Sequence, residues 1–163
     1  RRNYMRQLQR FLYLLMQWIK SRPKWTGEAV KKTETKRSLG RRGEERAALY
    51  LERQGMRIAA RNFTCRQGEI DVIGFHKGCL VFVEVKYRRD ERRGTPESAV
   101  TLQKIEKICR TADYYRYLHH YGEERPVRYD VVAVSGEEIR WYENAFEHRQ
   151  KGRAHGQSGG RRW

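Results

Sequence analysis

The sequence predicts an α/β domain with a mixed central sheet flanked by helices. Its element order reads helix, three strands, helix, then one or two strands. A three-strand meander between helices gives that class. Two of the strands are apolar yet carry charges two positions apart: Glu69 and Asp71 in Gly68-Glu69-Ile70-Asp71, then Glu84 and Lys86 in Leu80-Val81-Phe82-Val83-Glu84-Val85-Lys86. Side chains alternate along a strand, so Glu69 and Asp71 share one face and Glu84 and Lys86 share another. Leu80 and Phe82 lie on the face of Glu84, while Val81, Val83 and Val85 line the opposite one. Such a strand is apolar on both sides and buried, and buried charges are costly unless they are paired or hold a metal.

Taken in order, residues 3–20 read as a basic amphipathic helix, with Tyr4, Leu8, Phe11, Leu12, Leu15 and Ile19 at three- and four-residue spacing. With Trp18 and Trp25 it suits either an anionic membrane surface or packing on the domain or a second copy. Residues 21–38 read as a polar linker, and the globular part begins near Leu39-Gly40. Residues 43–54 form a helix that Gly55 ends. Strands follow at 57–63, 69–75 and 79–87, the last two joined by a turn at His76-Lys77-Gly78. Residues 88–96 form a basic loop. A long helix over 101–121 turns Ile105, Ile108, Cys109, Ala112 and Tyr115 inward, and strands close the domain at 128–134 and 138–142. From about Arg149 the Gly-rich tail has the composition of a disordered segment. The domain plan is thus 1–38, helix and linker; 39–148, the globular domain; and 149–163, the basic tail.

Length and charge narrow the function. The chain has 163 residues, enough for one ordinary domain and its core. Net charge is +16, but residues 1–38 carry +9 and residues 149–163 carry +5, leaving +2 for the middle. The basic excess therefore favours a polyanionic partner while describing the tails more than the domain. Three widely spaced cysteines, without a zinc spacing, suit reduced thiols in a cytoplasmic protein. No secretory signal peptide is evident, and the apolar run 11–16 is too short to span a bilayer.

A carboxylate, twelve residues, then Glu-x-Lys on adjacent strands is an arrangement that suits a divalent-metal nuclease. With Gly40-x-x-Gly43-Glu44, Arg61-Asn62-Phe63, Gly68-Glu69-Ile70-Asp71, Val81-Phe82-Val83-Glu84-Val85-Lys86, Val100-Thr101-x-x-Lys104, Tyr129-Asp130-Val131-Val132 and Asn144-Ala145-Phe146, residues 39–147 resemble the YraN-like family of predicted bacterial endonucleases. That family lies within the PD-(D/E)xK restriction-endonuclease-like superfamily. The resemblance implies an αβββαβ core, in agreement with the order above. Tyr87 stands where the family usually has Thr, and residues 1–38 lie outside the pattern.

The resemblance also implies a site. Asp71 and Glu84 match the metal-ligand positions, with the Val85 carbonyl completing the set for Mg²⁺ or Mn²⁺, hard cations that want oxygen ligands and keep several waters. The alternative for Asp71, Glu84 and Lys86 is a cross-strand charge network without metal. Lys86 matches the catalytic lysine, which orients the nucleophile and stabilises developing negative charge. Glu44 shares a helix face with Ala47, Ala48 and Leu51 and is either an acidic neighbour of the metal site or a residue favoured by the helix dipole. Glu69 is a further ligand or a structural partner of Arg61 or Arg66. Gln103 and Lys104 open the second helix and point to a phosphate contact, or else form a solvated first turn. Asp130, between Tyr129 and Val131, reads as structural. Arg88, Arg89, Arg92 and Arg93 form a phosphate-contacting rim, tempered by Asp90 and Glu91, because charge neutralisation dominates nucleic-acid affinity.

The expected function is metal-dependent hydrolysis of phosphodiester bonds in nucleic acid, most naturally DNA, with branched or repair intermediates as candidate substrates by fold-level analogy. A nucleic-acid-binding module with a dormant site is the alternative. A third reading is a membrane- or partner-docking protein acting through the N-terminal helix. A homodimer is expected if two sites must act on one junction.

Overall fold

A computed structural model describes residues 9, 10, 13, 14, 16, 17, 35–88 and 101–149. The six described residues of the N-terminal segment are helical. The rest of that segment, the linker before residue 35, the loop after Arg88 and the tail after Arg149 lie outside the described residues.

The first helix, α1 (Lys36–Arg53), begins seven residues earlier than the 43–54 reading. The cause is a local cap. Thr35 is extended and its hydroxyl accepts the Ser38 N–H, while the Ser38 hydroxyl donates to the Thr35 carbonyl. Basic residues dominate that first stretch, so apolar periodicity could not show it. At the other end Gly55 takes φ +90°, and the Gly55 and Met56 N–H groups bond the carbonyls of Glu52 and Leu51. That is a Schellman stop, closed by the buried side chains of Leu51 and Met56.

Five strands follow in one sheet, in the spatial order β1 (Arg57–Cys65), β2 (Gly68–His76), β3 (Cys79–Arg88), β4 (Val127–Ser135) and β5 (Glu138–Phe146). The first three form the antiparallel meander, with β2 and β3 joined by a two-residue turn in which Lys77 and Gly78 both take positive φ. The second helix, α2 (Leu102–Leu118), belongs to the crossover that lets β4 lie parallel to β3. Thr101 caps it by accepting the Lys104 N–H, and His120, at φ +55°, follows its end. β5 pairs antiparallel with β4 and runs four residues beyond the expected end. The domain is α/β with a mixed five-stranded sheet and two helices, consistent with the αβββαβ restriction-endonuclease-like core.

The helices cover opposite faces. On one, Leu80, Phe82, Tyr129 and Val131 pack with Ile105, Ile108, Ala112 and Tyr115 of α2. On the other, Val72, Val81, Val83, Val132 and Val134 pack with Ala47, Ala48 and Leu51 of α1. Strand β3 therefore buries both faces along its first half, as its apolar run required. All five α2 residues expected to face inward are buried.

Candidate active site

The site lies where β2 and β3 part. Their ladder runs from His76↔Cys79 to Val72↔Val83 and ends there. One residue further on, the Asp71 carboxylate replaces a strand partner: the Val85 N–H donates to Asp71 Oδ2 at 2.6 Å. The simple alternation expected of β2 also fails at this point. Ile70 and Ile73 both belong to the α2-side core although they are three residues apart, while Val72 belongs to the α1-side core. Across the ladder, between the pairs Arg61↔Val72 and Phe63↔Ile70, Asn62 takes φ +51°. Asn is among the few residues that enter this left-handed region readily. The irregularity at Asn62 and Asp71 leaves Asp71 free to turn toward β3.

Glu84 sits on the α2 side of β3, 5% exposed, as its alternation with Leu80 and Phe82 requires. Lys86 Nζ donates to Glu84 Oε1 at 2.8 Å. The second oxygen, Oε2, is buried and accepts no hydrogen bond. Lys104 Nζ lies 3.2 Å from it, a distance for ion pairing without hydrogen-bond geometry. The same ammonium is 3.9 Å from Glu69 Oε1. Thr101 places Lys104 at the third position of α2, from which its side chain reaches back over the sheet to Glu84. The first turn of α2 is thus not simply solvated. Gln103 beside it is exposed.

Burial and its neighbours leave Asp71 short of positive charge. Its carboxyl is pushed from 3.8 up to about 7, first by desolvation and then by the Glu84 carboxylate. The Val85 N–H and Lys104 oppose this, while Glu44 adds to it. Glu44 is therefore within electrostatic reach of Asp71, half-buried on the face of α1 that carries Ala47, Ala48 and Leu51. What sets α1 so close is Gly43: a Cβ there would fall 2.7 Å from the Tyr87 ring. The departure from the family's Thr at position 87 thus lies directly under the helix residue preceding Glu44.

Among the described residues no group of three His, Cys, Asp or Glu side chains converges as a ready-made metal cage. The donor set at this site is smaller: two carboxylates, from Asp71 and Glu84, with the Val85 backbone between Glu84 and Lys86. Its oxygens are hard donors, one of them is a buried atom without a hydrogen bond, and the pair repels itself. That chemistry fits a divalent cation with most of its coordination left to water and substrate.

Other sequence candidates stand apart. Asp130 is fully buried and its carboxylate is filled by donors from Arg128, Trp141 and Asn144, a structural role as its sequence context suggested. Arg88 ends β3, while Arg89, Arg92 and Arg93 lie outside the described residues. Sequence reasoning quoted Asn62 only within the Arg61-Asn62-Phe63 segment, without a role, and did not foresee the Gly43–Tyr87 contact. The signal for Asn62 was its residue type, tolerant of positive φ, opposite the key aspartate.

The model of Uncharacterised protein family UPF0102 matches residues 43–134, more than half of the chain. The chain belongs to this family. UPF0102 is the YraN-like group identified by resemblance above, and the matched span includes Glu44, Asp71, Glu84, Lys86 and Lys104. A UPF0102 protein of Lachnoclostridium phytofermentans is 50% identical over 104 residues, covering 64% of this chain and 88% of its own length. One of Symbiobacterium thermophilum is 50% identical over 99 residues, 60% of this chain and 82% of its own. One of Cytophaga hutchinsonii is 44% identical over 97 residues, 60% and 84% respectively. No described helix of this UPF0102 member is long and apolar enough to cross a membrane.

Proposed function

We propose that this UPF0102 protein is a metal-dependent endonuclease that hydrolyses phosphodiester bonds in nucleic acid, with DNA as the substrate. The observation that carries the reading is the Asp71–Glu84 pair at the parting of β2 and β3, held against its own repulsion and flanked by two ammonium groups. A structural charge network would pair each carboxylate fully. Here Glu84 Oε2 has an ion-pair contact with Lys104 but accepts no hydrogen bond, and burial beside Glu84 pushes the Asp71 carboxyl up to about 7.

Asp71, Glu84 and the Val85 carbonyl would hold Mg²⁺ or Mn²⁺. When bound, the cation supplies an activated water and a positive charge beside the scissile phosphate. Asp71 would give up any proton it carries when the cation binds, and its hydrogen bond from the Val85 N–H fixes the carboxylate direction. Lys86, which donates to Glu84 Oε1 at 2.8 Å, would be the group to orient the attacking water and to stabilise charge developing on the phosphate oxygens. Lys104 binds a neighbouring phosphate oxygen from the start of α2, where the helix dipole adds to its charge. Glu44 acts as an acidic neighbour that deepens the negative field at Asp71. Glu69, largely exposed, serves as an anchor for Lys104. Arg88, Arg89, Arg92 and Arg93, with Gln103, supply the remaining backbone contacts, and the N-terminal helix gives a secondary surface for a membrane, a partner or a second copy.

The test is cleavage of single-stranded, duplex, flap and four-way-junction DNA in Mg²⁺, Mn²⁺ or EDTA, beside Glu84→Ala. Metal-dependent cutting that Glu84→Ala removes is the expected result. DNA bound but never cut, under every metal, would leave a binding module in place of a nuclease.

A further inference from the structure

The two sides of α2 differ in charge. Its acids turn toward the chain segment after β5: Glu106 faces Arg149 at 3.7 Å and Asp113 faces His148 at 3.5 Å. The side toward the β1–β2 hairpin carries Lys104 and Lys107 instead, with Lys107 against Gly68 in that hairpin. At the far end of α2 the same flank closes on a basic aromatic cluster. The Arg57 guanidinium lies 4.5 Å from the Phe75 ring centre, and that of Arg125 lies 5.8 Å from Phe75 and 5.2 Å from Tyr121. His119 stacks on Tyr121, with centroids 6.0 Å apart.

Arg57 and Arg125 are exposed, and no described carboxylate pairs with either of them or with Lys107. Glu124, on the same turn as Arg125, folds over Gly122. The two exposed guanidinium groups lie 4.5–5.8 Å from the centres of half-buried rings, and exposed arginines beside aromatic rings are groups on which a nucleobase stacks. From Lys104 to His119 is about 22 Å at 1.5 Å per helical residue, roughly seven stacked nucleotides at 3.4 Å each.

We infer that the flank from Lys104 past Lys107 to Arg57, Phe75, Tyr121 and Arg125 is a binding track for single-stranded nucleic acid, with the aromatic–arginine cluster stacking bases several nucleotides away from the scissile phosphate. The assignment rests on the nuclease reading for its direction. Its chemistry, stacking plus phosphate neutralisation, selects an unpaired strand over a duplex, whose bases are already stacked on each other.

Fluorescence anisotropy of the full chain in EDTA, with labelled DNA strands of about four and about twelve nucleotides, tests this within the usual range of single-strand site sizes. The wild type binds the longer strand at least about tenfold more tightly than the shorter one. The double variant Arg57→Ala/Arg125→Ala loses that gain, leaves the short strand unaffected and lowers the log–log salt slope by about 1.4, for two phosphates at 0.7 each. Tyr121→Ala loses the gain with the salt slope retained. Equal binding of long strands by wild type and double variant overturns the track, as does tighter binding of a duplex of the same length. Cleavage in Mn²⁺ is read on the same preparations. A wild type that never cuts while its length-dependent binding is lost in the variant refutes the nuclease reading and keeps the track; a wild type that cuts while the variant binds long strands undiminished does the reverse.

Discussion

The carboxylate of Asp71 accepts the main-chain N–H of Val85 at 2.6 Å, at the step where β2 and β3 cease to pair. A side chain has taken a place in the ladder, and that substitution brings the carboxylate beside Glu84. The arrangement disfavours the ionised form of Asp71, as its rise to about 7 records. Asp71→Asn keeps an oxygen for the Val85 N–H and removes the charge. Without metal and above pH 7 it is expected to be more stable than wild type by on the order of 2 kcal/mol, from about 1.4 kcal/mol per pKa unit reduced for partial solvation. The same variant loses Mn²⁺ binding. Chemical denaturation beside a calorimetric titration reads both; a destabilised Asp71→Asn with metal affinity intact would sink the assignment.

The sign of the pH dependence follows from the same shift. A carboxyl whose folded pKa is raised binds its proton more tightly in the folded state, so its contribution is fully present below the unfolded value and is lost as pH rises through the folded one. For Asp71 that window runs from 3.8 to about 7. Metal-free wild type should lose stability across it relative to Asp71→Asn. Metal binding should release a proton near pH 6 and tighten with pH until about 7. Isothermal titration in two buffers of different ionisation enthalpy measures the proton directly, and zero release at pH 6 would contradict the shift.

Lys86 and Lys104 both contact Glu84, yet their removal should differ. Lys86→Ala leaves the two carboxylates in place, so Mn²⁺ affinity is kept or raised while the cleavage rate falls about 10²- to 10⁴-fold, the usual scale for a positioned proton-handling group. Lys104→Ala is expected to act on substrate affinity more than on turnover, because its ammonium bridges Glu84 and Glu69 at the mouth of α2 rather than donating to the carboxylate. Separate determination of kcat and KM decides between them.

The strands and the charged pairs were legible because each is a local pattern. Alternation placed Leu80 and Phe82 on one face of β3 and Val81 and Val83 on the other, and the structure packs them so. What escaped was set by tertiary geometry. The early start of α1 depends on the mutual bonds of Thr35 and Ser38, in a run of basic residues with little apolar periodicity. The broken alternation at Asp71 depends on the backbone of Asn62 in a neighbouring strand. The Lys104–Glu84 contact joins residues twenty positions apart and needs the crossover to bring α2 back over β3.

Asp130 offers a contrast to Asp71. It is equally central to its strand, and burial raises its pKa too, but Arg128, Trp141 and Asn144 satisfy its oxygens, and Arg128 continues to Glu143 at 2.8 Å. Asp130→Ala would leave Arg128 without its main partner inside the domain and should cost about 3–5 kcal/mol, with the Mn²⁺ affinity of the folded fraction unchanged. Loss of metal binding in protein that still melts cooperatively would show that this network supports the site directly.

Gly43 supplies the sharpest test of how the fold places Glu44. A methyl at Gly43 would meet Tyr87 Cδ2 at 2.7 Å and Tyr87 Cβ at 2.9 Å, closer than real contacts allow, and the clash is with a ring fixed on β3. Gly43→Ala should therefore lift α1 and destabilise the domain by about 1–3 kcal/mol, as overpacking does, although alanine is the better helix former. Tyr87→Ala in the same chain removes the ring but leaves its Cβ, so it restores part of the stability; Tyr87→Gly removes both and restores more. If α1 position is what carries Glu44 to the site, Mn²⁺ affinity should weaken in Gly43→Ala and recover in the same order as the stability. Recovery of stability without recovery of affinity would separate Glu44 from the site; the helix dipole would not account for it either, because α1 starts at Lys36 and Glu44 lies in mid-helix, beyond the first turn where that field acts.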